Sequence, residues 1–345
     1  MRDNSDMRHN NNFDALRLIA AFMVLVSHQF ALSGRHEPLA VGLYTFGTLG
    51  VVIFFSISGF LVAASWTHDP RPLQFAMRRF LRIWPALAVA VISLAVIATI
   101  VQPEKWWQAV DFVRFNLVFV RDGGTYFTSN PIAILNGPLW TIPIEVFCYV
   151  AFAILALCTR RYLPWAIPVL LVAFAMHVAL LTEPEIMQRA HEMLDPTYTP
   201  WFCALFLVGS WLSILPALRA RSIWLCVAGL VIMATGRVTL GLLLFAPPIL
   251  IAIGLKSWPF LRRFDRFGDL SYGVYLWAWP VQETVIYLIG KQNSIWVLLA
   301  ISAFTTLLLA LASWHLVEKR ALKWKPSAAS YASRLNEHAT QENTV

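Results

Sequence analysis

Charged residues are scarce in this chain. Only 13% of its 345 residues are Asp, Glu, Lys or Arg, whereas 58% are apolar. Apolar runs of roughly 17 to 24 residues recur along the whole length, and such a run is long enough for an α-helix to cross a bilayer. The composition excludes a pair of soluble domains and predicts an all-α polytopic membrane protein.

Other common features are also missing. The four cysteines form no Cys-x-x-Cys pair and have no matching histidines, so we expect small buried side chains rather than a disulfide or a metal site. No small-residue cleavage site follows the first apolar run, so we expect no cleaved signal peptide. No repeat of fixed period and no inverted pair of broken helices is visible, which weakens the case for a secondary transporter.

The hydropathy pattern predicts ten transmembrane helices. They are expected at roughly 14–33, 41–66, 84–102, 138–158, 163–181, 200–216, 223–236, 239–255, 269–289 and 294–316. Residues 13–325 would form one membrane domain between polar tails at 1–12 and 326–345, of which the second is predicted to be disordered. Two external loops, 103–137 and 182–199, are long but too short to be soluble domains.

The positive charges predict the orientation of these helices. With the N-terminus in the cytoplasm, about three quarters of the 27 lysines and arginines fall on the inner side, so both ends are expected to be cytoplasmic. The same bias accounts for the net charge of +8. Nucleic acid is therefore not an expected partner, whereas membrane lipids are.

The first predicted span carries Asp14, Arg17 and His28. Arg17 and His28 are eleven residues apart, so on a helix they share one face and differ by about 16 Å in height. Asp14 lies on the same face, close enough to pair with Arg17. Arg17 could simply extend to the headgroups and His28 could be a hydrogen-bonded packing residue. A histidine in a span is also well suited to accept a proton near neutral pH.

The fourth predicted span carries Asn136, Thr141 and Glu145. Glu145 is expected about two turns below the outer surface, at a depth comparable with that of His28. A buried glutamate must be protonated, paired or in contact with water. It could be a structural hydrogen-bond donor in its acid form, or a carboxylate that orients His28 or binds a hydroxyl group.

A group of arginines, Arg78, Arg79 and Arg82, lies in the predicted inner loop before the third span. Arg79 and Arg82 are three residues apart, so on a helix they point the same way. Positive-inside anchoring explains them without any ligand. A ligand rich in phosphate would favour the same arrangement, because guanidinium groups bind phosphate through two parallel hydrogen bonds.

Five motifs in the right order resemble one known family. They are Arg17 with His28 after ten intervening residues, FFSISGFLV at 54–62, RRFLRIWPAL at 78–87, LWTIPIEVFCY at 139–149 and SYGVYLWAWP at 271–280. Together they are similar to the acyltransferase 3 family of integral-membrane O-acyltransferases, in its stand-alone form without a fused periplasmic domain. The resemblance covers residues 13–325.

The resemblance implies a donor, an acceptor and a place. Members of this family typically move an acyl group, most often acetyl, from cytoplasmic acyl-CoA to a hydroxyl group of a glycan or glycolipid outside the inner membrane. For this chain it implies His28 as the catalytic histidine with Arg17 and Asp14 beside it. It also implies coenzyme A contacts at Arg79 and Arg82 and a role for Glu145. We expect Arg78 to join the coenzyme A site. We expect substrate contacts at Asn136, Trp140, Thr141, Tyr272 and Tyr275. Ala278 stands where the family usually has a second histidine.

Two chemical routes and two other functions remain open at this point. His28 could remove the proton of the acceptor hydroxyl, or it could carry the acyl group as an acyl-imidazole. The chain could instead be a proton-coupled transporter in which His28 and Glu145 relay protons. It could also be a scaffold of a polysaccharide export complex, in which case His28 could be replaced without a phenotype.

Overall fold

The fold is all-α, as a computed structural model of the chain shows for residues 11–42, 44–120, 122–179, 198–259 and 268–326. A helix lies at each of the ten predicted hydrophobic segments. The helices are α1 (Phe13–Leu32), α2 (Phe46–His68), α3 (Pro72–Val101), α4 (Trp106–Leu117), α5 (Thr141–Thr159), α6 (Leu163–Ala179), α7 (Tyr198–Ile214), α8 (Pro216–Ala220), α9 (Ile223–Ala234), α10 (Val238–Gly254), α11 (Ser271–Ile289), α12 (Ile295–Ser313) and α13 (Lys319–Ala321).

Short elements connect these helices. A small antiparallel ladder joins β1 (Leu39–Val41) to β2 (Tyr44–Thr45), a 3-10 turn at Gly137–Trp140 precedes α5, and a π turn at Trp314–Glu318 links α12 to α13. Most of the predicted tails at 1–12 and 326–345 and most of the predicted loop 182–199 lie outside the described residues.

Five stretches are long and apolar enough to cross a membrane. They are Phe13–Leu32, Phe46–His68, Pro72–Val101, Gly137–Val178 and Ile295–Trp324. Three further apolar helices are shorter, and the 12 residues of α9 rise by only about 18 Å, against a hydrocarbon core of about 30 Å. The number of spans and the cytoplasmic position of both ends therefore remain predictions.

The cysteines are less uniformly buried than we expected. Cys148 and Cys226 are buried, but Cys158 is exposed. Cys148 on α5 lies with its sulfur 3.5 Å from that of Cys203 on α7, and both are free thiols. The expectation of four buried side chains was therefore wrong for Cys158.

Two glycines allow α2 and α7 to cross at very short range. A Cβ atom on Gly59 would lie 1.9 Å from the carbonyl oxygen of Phe206, and one on Gly209 would lie 2.2 Å from that of Ser56. Helices in a membrane approach closely through such small residues, because lipid provides no hydrophobic force between them. This contact fixes the part of α2 that carries Ser58.

Helices α1 and α11 run side by side in the same direction. Arg17 near the start of α1 pairs with Asp269 just before α11, and further along Gln282 donates to the carbonyl of Leu25 at 2.7 Å. We call the end of the bundle that carries Arg17 and Asp269 the arginine end, and the opposite end, which carries His28, the histidine end. The charge bias predicts that the arginine end faces the cytoplasm.

The segment 122–140 runs beside α11 toward the arginine end before α5 begins. Its contacts, in chain order, are Asn130 Nδ2 to the Glu283 carbonyl (3.0 Å), Trp279 Nε1 to the Ile134 carbonyl (2.8 Å), Asn136 Nδ2 to the Leu276 carbonyl (3.0 Å) and Tyr275 Oη to the Pro138 carbonyl. The partners on α11, from Tyr275 to Glu283, span about 12 Å of helix. Backbone without regular structure is tolerated at such depth only where protein or water satisfies it, and these side chains do so.

Candidate active site

The ion pairs at the arginine end converge on Asp269. Arg17 Nη1 lies 2.5 Å from Asp269 Oδ2, and Arg82 on α3 binds the same oxygen. The other carboxylate oxygen accepts hydrogen bonds from the backbone N–H of Ser271 at 3.2 Å and from its hydroxyl at 2.5 Å. Asp269 therefore joins α1, α3 and α11, and it is a residue that sequence reasoning missed.

Asp14 lies nearby but is not the ion-pair partner of Arg17 that we expected. The salt bridge of Arg17 is with Asp269, 252 residues away in the chain. Asp14 instead acts electrostatically on Arg82, as does the buried Glu318. No local sequence signal relates Arg17 to Asp269, because the pairing depends on how α1 packs on α11.

The three predicted coenzyme A arginines differ in their partners. Arg78 binds the Asp69 carboxylate at 2.5 Å, and Arg71 binds both of its oxygens. The hydrogen bonds from Arg71, together with Arg78, hold the pKa of this loop carboxyl well below its usual range although burial opposes the shift. Arg78 thus stabilises the turn between α2 and α3 by binding Asp69.

Arg79 forms no salt bridge within the described part of the chain. Its Nη2 lies 3.4 Å from the hydroxyl oxygen of Ser65, and its guanidinium carbon lies 5.8 Å from the ring centre of Phe75 and 5.7 Å from that of Tyr149. Its Nε is buried without a hydrogen-bond partner. Of the three arginines, Arg79 therefore has the most capacity left for an anion, because Arg78 and Arg82 already bind carboxylates.

A cavity above the Asp269 cluster brings five of the predicted site residues together. Its walls come from α1, α2, α5 and α11, and the lining residues are Arg17, Val51, Phe54, Phe55, Ser58, Thr141, Ile142, Glu145, Tyr272 and Tyr275. We call it the central cavity. Its lining combines charged and hydroxyl groups with aromatic rings, and its volume is about 40 Å³.

Glu145 lies in the central cavity and not at the depth of His28. Its Oε1 accepts a hydrogen bond from Ser58 Oγ at 3.2 Å and another from the Tyr149 hydroxyl. Because 122–140 descends along α11, α5 starts level with Tyr275, and Glu145 lies one further turn toward the arginine end. From the helical rise, Glu145 is about 10 Å or more below His28, so the expected equal depth was wrong.

The remaining predicted acceptor residues hold the segment and the helices in place. Thr141 Oγ1 lies 2.5 Å from the hydroxyl of Tyr275, and Tyr272 donates to the carbonyl of Ile83 at 3.0 Å. Asn136 binds the backbone of α11 as described above. The ring of Trp140 contacts Phe202 at a centroid distance of 5.6 Å. Asn136 and Trp140 do not line the central cavity.

His28 lies at the histidine end, half-buried against an aromatic ring. The imidazole meets the edge of Trp279 at a centroid distance of 4.9 Å, and its Nδ1 has no hydrogen-bond partner. On α11, Ala278 is buried in an apolar cluster with Ala21 and Leu25 of α1. An apolar side chain therefore packs against α1 at the position where the family usually has a second histidine.

Glu37 is an acidic residue that the fold brings to Ser27, the residue before His28. It follows α1 in a short loop, and its carboxylate accepts a hydrogen bond from the hydroxyl of Ser27, the residue before His28. A Cβ atom on Gly47 would lie 3.6 Å from the same carboxylate, so the start of α2 packs close to the Glu37 side chain. Sequence reasoning named Glu145 as a carboxylate that could orient His28 and did not consider Glu37, although Glu37 is only nine residues after His28.

The comparisons with known proteins bear on this arrangement of groups. Residues 10–315 match the sequence profile of a family described as an acyltransferase domain. The chain belongs to this acyltransferase family. The resemblance inferred from the five motifs is thereby confirmed. No solved structure matches the chain.

Curated relatives of this family member include several proteins that are aligned over most of its length. An O-acetyl transferase of Shigella phage Sf6 is 30% identical and is aligned over 92% of this chain and 97% of its own. Nodulation protein 10 of Rhizobium leguminosarum bv. viciae is also 30% identical, over 92% and 95%. The peptidoglycan O-acetyltransferase OatA of Listeria monocytogenes is 26% identical over 89% of this chain and 55% of that protein.

Proposed function

We propose that the protein is a membrane O-acyltransferase that transfers an acyl group, most simply acetyl, from cytoplasmic acyl-CoA to a hydroxyl group of an extracytoplasmic glycan or glycolipid. The observation that carries the proposal is the arrangement along α1 in a chain of this family. Arg17 lies in the central cavity at one end of the helix, and His28 lies with Glu37 at the other. Relatives whose names specify O-acetyl transfer, one of them to peptidoglycan, support the reaction and the kind of acceptor.

The donor would enter from the arginine end. Coenzyme A carries its phosphates at one end and its thioester at the end of a long flexible arm. Arg79, with free donors between two aromatic rings, is the best group for the phosphates. The arm would then extend along Tyr149 and Ser58 into the central cavity, toward His28.

The chemistry needs one base and a binding site for each substrate. The acceptor oxygen attacks the thioester carbonyl, its proton passes to His28, the carbon–sulfur bond breaks, and the proton goes to the departing thiolate to give free coenzyme A. Glu37 would stabilise the imidazolium while it holds that proton. In the acyl-imidazole route, the imidazole nitrogen attacks the thioester first, the carbon–sulfur bond breaks, and the imidazole N–H proton goes to the thiolate to give free coenzyme A. The acceptor oxygen then attacks the acyl group, the bond between nitrogen and the acyl carbon breaks, and the hydroxyl proton returns to the imidazole.

Glu145 is better suited to the donor arm than to His28. Its carboxyl group is already engaged with Ser58 and Tyr149, and it lines the cavity beside Arg17. We therefore assign it to polar contacts with the arm or the acyl group. The transporter hypothesis required a proton relay between His28 and Glu145, and their separation by about 10 Å of helix height does not favour it.

The protein would act in the cytoplasmic (inner) membrane, with its acceptor on the far side. A direct test is mass spectrometry of surface glycans and glycolipids from strains with and without the gene, combined with acetyl-CoA hydrolysis by the purified protein. Loss of an acyl mass on deletion, together with hydrolysis in vitro, supports the proposal. A transporter would neither bind nor hydrolyse acetyl-CoA. Unchanged glycans and glycolipids, together with no hydrolysis of acetyl-CoA, would refute the proposed acyltransferase function.

A further inference from the structure

A second cavity, of about 430 Å³, opens at the arginine end of the bundle. It lies where α2 and α5 end and α6 begins, and its lining residues are Trp66, Thr67, Pro70, Ala156, Leu157, Arg160, Arg161, Leu163, Pro164 and Ile214. We call it the end cavity. Its walls are mainly apolar, and two exposed arginines stand at its rim. A volume of this size is within the range of small-molecule sites.

The two arginines have ordinary roles that must be weighed first. Basic side chains after a helix balance its dipole and anchor the cytoplasmic side of a membrane protein. Those roles do not require a cavity or an unusual backbone. Arg160, however, has φ 44° and ψ −110°, a conformation that side chains with a Cβ rarely adopt. Such residues are concentrated at ligand sites, where the surroundings hold them in place.

The arginines also keep most of their hydrogen-bonding capacity. Arg161 donates from Nη2 to the hydroxyl of Tyr162 at 2.7 Å and lies over its ring, which leaves the other face and donors of its guanidinium available. Within the described residues neither arginine forms a salt bridge. Two adjacent cations without counter-ions at the mouth of an apolar cavity favour a ligand with an anionic group and a flat apolar body.

The end cavity and the central cavity lie along the same two helices. On α2, Trp66 of the end cavity is eight residues, about 12 Å, from Ser58 of the central cavity. On α5, Ala156 is eleven residues, about 16 Å, from Glu145. The group between the two cavities is Arg79, whose neighbour Ser65 precedes Trp66.

Aromatic contacts continue this line from one cavity to the other. The ring of Trp66 meets that of Phe75 at 5.1 Å, Phe75 lies under the Arg79 guanidinium, and Tyr149 covers its other side. From the arginine end inward, the order is thus Arg160 and Arg161 with the end cavity, then Arg79, then the central cavity. Coenzyme A has its parts in the same order: the 3′-phosphate and adenine come first, the diphosphate follows, and the flexible arm comes last.

We propose that the end cavity binds the nucleotide end of acyl-CoA, with Arg160 and Arg161 on its 3′-phosphate and the apolar walls against adenine. The inference rests on the proposed acyl-CoA donor and adds a subsite outside the five motifs of the family. It assigns Arg79 to the diphosphate and leaves the central cavity for the arm.

The test combines a change in the protein with a change in the ligand. Binding of acetyl-CoA, 3′-dephospho-acetyl-CoA and adenosine 3′,5′-bisphosphate is measured on the full-length protein in nanodiscs, for the wild type and for Arg160→Ala/Arg161→Ala. The wild type should bind acetyl-CoA about tenfold to a hundredfold more tightly than its 3′-dephospho form. The double variant should lose this preference, bind both with the weaker affinity, and lose adenosine 3′,5′-bisphosphate.

Controls separate this subsite from the proposed function. Arg221→Ala, an exposed arginine outside both cavities, should retain the preference. A wild type that binds no acetyl-CoA would refute the proposed donor itself. Acetyl-CoA binding with a 3′-phosphate preference that survives in the double variant would overturn the subsite alone. If the double variant differs from wild type in binding only when the nanodiscs contain phosphatidylglycerol, the ligand of the two arginines is a lipid headgroup instead.

Discussion

His28 and Glu37 are nine residues apart, yet the turn after α1 brings the carboxylate back to the residue before the histidine. A buried imidazole that accepts a proton needs a negative charge nearby, because the ion would otherwise lack solvation. The sequence predicted the histidine but assigned the carboxylate to Glu145. The error has a physical cause, since the start of α5 depends on contacts between residues about 140 positions apart.

Glu37→Gln should lower acyl transfer by about tenfold or more, because the imidazolium loses its neighbouring negative charge. Acetyl-CoA affinity should not change, since the donor phosphates bind at the other end of the molecule. Glu37→Asp should recover part of the rate. Transfer to the acceptor and acetyl-CoA binding are measured on the same preparation. Glu104→Gln, an acidic residue after α3, is the control, and a Glu37→Gln enzyme with full activity would show that Glu37 has no role in catalysis.

Arg79 illustrates how the structure ranks residues that sequence treats alike. The pattern of three arginines predicted a phosphate site but could not indicate which members bind carboxylates. Asp69 and Asp269, the partners of Arg78 and Arg82, come from a turn and from the start of a distant helix. Only the folded chain shows that Arg79 lies near two rings and has no carboxylate partner among the residues that the structure describes.

Arg79→Ala should weaken acetyl-CoA binding by tenfold or more, because a charge-assisted hydrogen bond to phosphate contributes about 1.5 to 3 kcal/mol. Arg79→Lys should be intermediate, since an ammonium group keeps the charge but not the paired hydrogen bonds. Calorimetry on purified protein gives the affinities. The matched control is Arg114→Ala on α4, which also removes a guanidinium beside an aromatic ring. Equal affinities for Arg79→Ala and wild type would remove Arg79 from the donor site.

At the scale of elements, the helices were largely predictable and the segment between α4 and α5 was not. Long apolar runs predicted ten helices, and a helix is found at each of these places, whereas α4, α8 and α13 were not predicted. The predicted loop 103–137 contains α4 and the first part of the stretch that descends along α11. That descent relies on Trp279, Tyr275 and Asn136, whose hydrogen bonds join parts of the chain that no local pattern relates.

Tyr275→Phe tests whether this descent shapes the site. The change removes the hydroxyl that binds the Pro138 carbonyl and Thr141, so 122–140 should loosen while the helix keeps its apolar packing. We expect faster labelling of a cysteine introduced at Ala133 and a several-fold lower transfer rate. Tyr287→Phe, which keeps the ring that contacts Phe127, should change neither. Unaltered labelling and activity in Tyr275→Phe would mean that these bonds do not hold the segment.

At the scale of the whole molecule, the topology is the prediction that most needs measurement. The charge bias places the arginine end in the cytoplasm, and the parallel course of α1 and α11 requires an odd number of crossings between them. In a cysteine-free protein in intact cells, Thr125→Cys should react with an impermeant thiol reagent. Arg221→Cys should react only after the membrane is opened. The opposite pattern would reverse the assignment of the two ends.

The measurement that tests the central claim most directly is acyl transfer by His28→Ala. Alanine suits a helix, so the variant should insert and fold, and acetyl-CoA binding should survive because the phosphate sites lie at the arginine end. Transfer should fall by at least the 10² to 10⁴-fold typical of a general base. Expression, acetyl-CoA affinity and glycan acylation are measured on one membrane preparation. Normal folding and binding with acylation nearly abolished is the predicted result, and acylation at the wild-type rate would contradict the account.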